Sequence, residues 1–136
     1  MKATLAPGVA HENTVVVETQ HLVPALFPSD PALAGMPAVL ATPWLVAMIE
    51  RCAVHALAPH LDPGEGSVGA RVELDHTAPT PAGRTVTVTV SCEAVDRRRI
   101  SFTATAHDGV AQIARARHDR FVIDEAKFRA KLDDAS

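Results

Sequence analysis

From residue 44 onward the apolar positions Leu45, Met48, Ile49, Cys52, Ala53, Ala56 and Leu57 recur at the spacing of one face of a helix. This stripe predicts one long, mostly buried helix. Thr42 is a preferred N-cap type and Pro43 suits the first helical position, so the helix is expected to start there. Pro59 ends it, and Leu-Asp-Pro-Gly-Glu-Gly follows as a turn. Only Glu50, Arg51 and His55 interrupt its apolar character.

Beyond residue 66 the period changes. Ser67 to Leu74 reads as a strand, and Thr85 to Ala94 alternates Thr with Val at period two. Ile100 to His107 and Ala111 to Ile123 complete the set. Pro-Thr-Pro-Ala-Gly-Arg, Val-Asp-Arg-Arg-Arg and His-Asp-Gly separate them as turns. Upstream, the β-branched run from Thr14 to Thr19 predicts a first strand. The predicted order is strand, loop, helix and four strands in an antiparallel meander, with a charged tail from Asp124 to Ser136 as a terminal helix.

Residues 22–41 hold Pro24, Pro28, Pro31 and Pro37 among small apolar residues, a pattern no regular helix accepts. So long a loop inside one domain is expected to serve a function, such as a lid. One long buried helix against a curved antiparallel sheet is the hot-dog arrangement, an α+β fold. Another α+β sandwich, with the helix on one face, is the alternative. Two hot-dog subunits usually join their sheets edge to edge, a property of the fold and not of this sequence.

Composition narrows the function classes. The 136 residues fit a single domain, 1–136. A net charge of −3 offers no broad basic field, so nucleic acid is not an expected partner. No apolar run approaches the ~20 residues of a membrane span, and the N-terminus does not read as a signal peptide. A cytoplasmic protein without a membrane partner is expected, with Cys52 and Cys92 as buried thiols. The seven histidines include no HExxH and no i,i+4 pair, and there is no CxxC. Neither a metal nor any other cofactor is therefore expected.

Three residues could carry chemistry. Glu50 lies mid-helix. It is either a surface glutamate or a carboxylate facing a cleft, able to act as base or nucleophile. Thr42 is expected to cap the helix. It precedes Glu50 by ~800° of helical rotation, so the two fall within ~80° of each other and ~12 Å apart along the axis. A small substrate could lie between them, and free amides at the helix start would favour a developing negative oxygen. His76 follows a predicted strand and is either a surface or structural histidine or a proton shuttle. Asp75 beside it points to the opposite face. Taken singly, these residues do not identify an enzyme.

Longer segments do more. Met-Ile-Glu-Arg-Cys-Ala-Val-His-Ala-Leu-Ala-Pro-His-Leu-Asp-Pro-Gly-Glu-Gly-Ser-Val-Gly, Asp-His-Thr-Ala-Pro-Thr-Pro-Ala-Gly-Arg-Thr-Val-Thr-Val-Thr-Val and Ala-His-Asp-Gly-Val resemble the fluoroacetyl-CoA thioesterase family of hot-dog proteins. The likeness runs from about residue 14 to about residue 130. It implies a catalytic triad of Thr42, Glu50 and His76. It also implies that the Gly69 amide contacts substrate near the thioester carbonyl, that Arg120 takes part in substrate binding, and that sites lie at the interface of a homodimer. Leu33 and Met36 stand where the fluoroacetate-selective pattern has phenylalanines in the lid, and Pro43 stands where it has glycine. An aromatic gate is thus missing or remade with a flexible thioether.

The resemblance implies hydrolysis of short acyl-CoA thioesters. Glu50 would attack directly or activate water, His76 would manage protons, and Thr42 would orient Glu50 or the substrate. A hot-dog hydratase or dehydratase, and a non-catalytic acyl-CoA binding domain, are the alternatives. Arg97, Arg98 and Arg99 could meet CoA phosphates in each case, or form a solvated turn.

Overall fold

The computed structural model describes residues 1–135. Five strands form one antiparallel sheet: β1 (Ala10–Val16), β2 (Glu65–His76), β3 (Thr85–Asp96), β4 (Arg99–His107) and β5 (Gln112–Asp124). A one-turn helix α1 (Pro31–Ala34) precedes the long helix α2 (Thr42–Leu57), and α3 (Glu125–Ala135) follows the last strand. The buried residues of α2 are the seven of the apolar stripe. They pack against Val86, Val88, Val90 and Cys92 of β3 and against Ile100 and Phe102 of β4, all buried. Small side chains at Ala104, Ala106, Ala114 and Ala116 keep this face of the sheet shallow enough to receive a helix. The opposite face carries the polar partners of each strand, with Arg117 paired to Glu93 and Arg99 to Asp119. This is the α+β hot-dog arrangement.

The strand order is β1-β3-β4-β5-β2, which corrects the expected four-strand meander. Only β3, β4 and β5 follow one another by tight turns. β2 pairs with β5, from Glu65 opposite Asp124 to His76 opposite Ala114. The segment 77–84 is too long for a two-residue hairpin and carries the chain across to the far side of β4 and β5. Asp108, buried in the β4–β5 turn, ties that crossing down. Its carboxylate accepts hydrogen bonds from the Val110 and Ala111 amides, from Thr80 Oγ1 at 2.9 Å and from Arg84 Nη1 at 3.0 Å. The Thr80 carbonyl in turn accepts from the Leu40 amide, which anchors the chain two residues before α2.

Two other boundaries moved. The first strand is Ala10–Val16 and not Thr14–Thr19; His11, Asn13 and Val15 are its half-buried positions. Asn13 meets His55 of α2, so this inner face carries polar groups and has no apolar alternation to read. The N-cap of α2 is Ala41, with Thr42 as the first helical residue and no side-chain cap. The Thr42 hydroxyl is engaged elsewhere.

The proline-rich segment between β1 and α2 contains short 3-10 turns at Thr19–His21 and Val23–Ala25 besides α1. Its two ends are clasped together. The Ala41 amide donates to the His21 carbonyl, and the Val23 amide to that of Val39. Leu33 is half-buried, while Met36 is 49% exposed.

Candidate active site

Helix α2 and edge strand β2 run alongside each other, and each contributes at two levels. At the helix start, Thr42 Oγ1 lies 2.9 Å from His76 Nδ1 at the end of β2. His76 Nε2 is buried and has no hydrogen-bond partner among the described residues. A buried ring nitrogen without a partner is costly, and it is the atom left to take or give a proton. His21 packs edge-on against Trp44 near this helix start, ring centroids 4.7 Å apart. Pro43 has no amide hydrogen, and the Trp44 amide turns back to the Ala41 carbonyl. The helix start therefore offers fewer donors for an oxyanion than the sequence suggested.

Two turns along α2, Glu50 leaves the buried stripe. Its side chain is 40% exposed, so the carboxylate is neither a fully solvated surface group nor a core group. Arg120 Nη1 stands 3.5 Å from Glu50 Oε1. Gly69 faces the same carboxylate: a Cβ there would collide with Glu50 Oε1 and meet Arg120 Nη1 at 3.3 Å. Only a residue without a side chain lets Glu50 lie against the β2 backbone.

The residues implied by the resemblance thus fall into two contacting groups along one helix: Thr42 with His76, and Glu50 with Gly69 and Arg120. Asp75 points to the other face and approaches Arg115, as expected of its neighbour's opposite. Leu33 and Met36 belong to the proline-rich segment before α2 and to neither group.

Two residues of the second group had no sequence signal of their own. His118 is buried beneath Arg120, and its Nε2 lies 3.2 Å from Arg120 Nη1. Ser67 accepts from Arg120 Nε at 2.9 Å through its hydroxyl and from Arg120 Nη2 at 3.2 Å through its carbonyl. Period-two geometry puts His118 and Arg120 on the inner face of β5, with Arg117 and Asp119 outside. That alternation is legible in the sequence; what the inner residues touch is not. Burial pushes the His118 ring towards its neutral form, and Arg120 beside it acts in the same direction. The arginines of the β3–β4 turn are largely engaged, with Arg98 on Glu65 and Arg99 on Asp119.

The model of the fluoroacetyl-CoA-specific thioesterase family matches residues 24–126. The chain belongs to this family. The fluoroacetyl-CoA thioesterase of Streptantibioticus cattleyicolor is 42% identical over 132 residues, which cover 97% of this chain and 95% of that protein. A solved structure of a fluoroacetyl-CoA thioesterase superposes with a TM-score of 0.92 at 41% identity, covering 97% of this chain and 98% of that one. A more distant hot-dog-like protein from Thermanaerovibrio acidaminovorans shares the fold, with a TM-score of 0.82 at 23% identity, covering 95% of this chain and 91% of its own. The family match spans most of the proline-rich segment, α2 and all strands except β1.

Proposed function

We propose that this member of the family is an acyl-CoA thioesterase that hydrolyses short acyl-CoA thioesters to the free acid and CoA. Glu50, His76 and Thr42 carry the reaction, and Gly69 and Arg120 line the acyl site. The observation that carries this reading is the half-buried Glu50 carboxylate. It is held against the β2 backbone by a glycine and an arginine, in a chain 42% identical to a fluoroacetyl-CoA thioesterase.

In this reading the thioester lies along α2, its carbonyl near Gly69 and Glu50. Glu50 adds to the carbonyl carbon, or removes a proton from the water that does so. The carbon–sulfur bond then breaks, and the thiolate leaves with a proton that His76 can supply from Nε2; where Glu50 itself has added, water then hydrolyses the Glu50 acyl anhydride, releasing the free acid and restoring the carboxylate. Thr42 fixes the ring through Nδ1. The Gly69 amide and the Arg120 guanidinium are the donors closest to where negative charge develops on the carbonyl oxygen.

The same reading takes the active unit as a homodimer in the cytoplasm. Strand β2 is the longer of the two sheet edges, 12 residues against 7 for β1, and among the described residues its outer side has no partner strand. Such an edge invites pairing with a second copy. Glu50 and the exposed Val54 lie one turn apart on α2, and Glu50 lies against β2, so pairing at that edge would bring the second copy close to the site. The free, buried thiols Cys52 and Cys92 suit a reducing compartment. Among the described residues, no helix is long and apolar enough to cross a membrane.

Thiol release from a panel of short acyl-CoAs tests the proposal. Acetyl-CoA and its close neighbours are expected to be hydrolysed, with only a weak preference for fluoroacetyl-CoA because Leu33 and Met36 occupy the lid. No thiol from any short acyl-CoA would remove the thioesterase reading. A large fluoroacetyl preference would show that selectivity does not need an aromatic lid.

A further inference from the structure

We infer that His118, with Ser67, is a positioning residue for the reaction, which holds the Arg120 guanidinium in one orientation against Glu50. The inference rests on the thioesterase reading of the Glu50 site and adds a residue to it.

His118 is 1% exposed and has a partner at each ring nitrogen. Nδ1 lies 2.8 Å from the Arg71 carbonyl, an acceptor, so Nδ1 carries the proton and donates. Nε2 is then left with its lone pair, which is what an arginine donor at 3.2 Å requires. A protonated ring would aim an N–H at the guanidinium. The Arg71 carbonyl thus selects the tautomer, and the tautomer makes His118 an acceptor for Arg120.

Arg120 is held at three of its nitrogens. Nη1 donates to His118 Nε2, Nε donates to the Ser67 hydroxyl, and Nη2 donates to the Ser67 carbonyl. These contacts fix the plane of a buried guanidinium, and Nη1 is the nitrogen that faces Glu50 Oε1. The charged groups acting on His118 are Arg120, Glu50 and Asp119. Asp119 is occupied by Arg99 on the opposite face of the sheet. The register of β2 on β5 shifts between Gly69 and Arg71, so this bulge lies between the glycine that admits Glu50 and the carbonyl that orients His118.

An Asn/Gln pair at position 118 separates positioning from a structural role. Glutamine can place an acceptor where Nε2 was, while asparagine can keep only a donor to the Arg71 carbonyl. With acetyl-CoA, His118→Gln is expected to keep kcat within about 3-fold of wild type, whereas His118→Asn lowers kcat about 10-fold or more with a smaller change in KM. The Arg120 Nε–H resonance gives a readout independent of turnover. It is expected to stay at its wild-type shift in His118→Gln and to move to the position of an exposed arginine in His118→Asn. The reverse order, with Asn active and Gln impaired, would mean that the Arg71 contact is what matters and would overturn the inference. So would two variants equal to each other in kcat and resonance. If wild type itself releases no thiol, the thioesterase reading fails, and the resonance alone decides whether His118 holds Arg120.

Discussion

Gly69 stands opposite a carboxylate that leaves no room for a Cβ. The atom in the way is the far end of the flexible Glu50 side chain, so Gly69→Ala can be accommodated by moving Glu50 at little cost to the fold. In the proposed reaction the displaced carboxylate no longer matches the reacting carbonyl, and misplacement of about 1 Å costs on the order of 10²-fold in rate. Gly69→Ala is therefore expected to keep a near wild-type Tm while losing kcat by about that factor, checked by thermal unfolding beside the thiol-release assay. Equal loss of Tm and activity would place the glycine's role in the backbone instead. At this scale the sequence supported Glu50 in mid-helix and the facing of Thr42, but not the partners. Helical rotation set Thr42 and Glu50 on one side, whereas the resemblance was needed to add His76, Gly69 and Arg120. His118 was one of seven histidines with nothing to mark it. Its meaning comes from contacts with residues 71 and 120, which no local pattern encodes. Thr42 was misread as a cap because Thr is a good cap in general, while here its hydroxyl meets a histidine 34 residues away.

The elements that carry the site are positioned by a junction remote from it. Asp108 joins the β4–β5 turn to Thr80 and Arg84 of the crossing segment, and Thr80 joins that segment to Leu40 just before α2. Burial opposes ionisation of Asp108. The Ala111 and Val110 amides, the Thr80 hydroxyl and Arg84 outweigh it and hold the carboxyl well below the usual range. A group whose folded pKa is depressed stabilises the fold above its unfolded value, and that contribution is lost as pH falls. Asp108→Asn is thus expected to cost about 1–3 kcal/mol at pH 7, with the difference from wild type shrinking below about pH 4. Chemical denaturation at several pH values would reveal it; a difference independent of pH would locate the effect in packing. The helix and strands β3 to β5 were legible because their periods are clean. The meander was mispredicted at β2, because strand pairing across a crossing segment depends on contacts such as those of Asp108. The first strand was set too late because its inner face is polar where it meets His55.

Across the whole molecule, the hot-dog architecture was readable from one apolar helix followed by alternating strands. At this scale the long edge of β2, against which Glu50 lies, matters most. If two copies join there, sedimentation equilibrium should give twice the 14.4 kDa chain mass at micromolar concentration. A strict monomer with full activity would show that one chain suffices. This family member is proposed to hydrolyse short acyl-CoA thioesters through Glu50. The most direct measurement is kcat/KM for thiol release from acetyl-CoA by wild type and Glu50→Gln side by side. The expected result is turnover by wild type and a fall of about 10²-fold or more in the variant, which keeps the side-chain shape but removes the charge. Equal rates from the two proteins would contradict a role for the Glu50 carboxylate in hydrolysis.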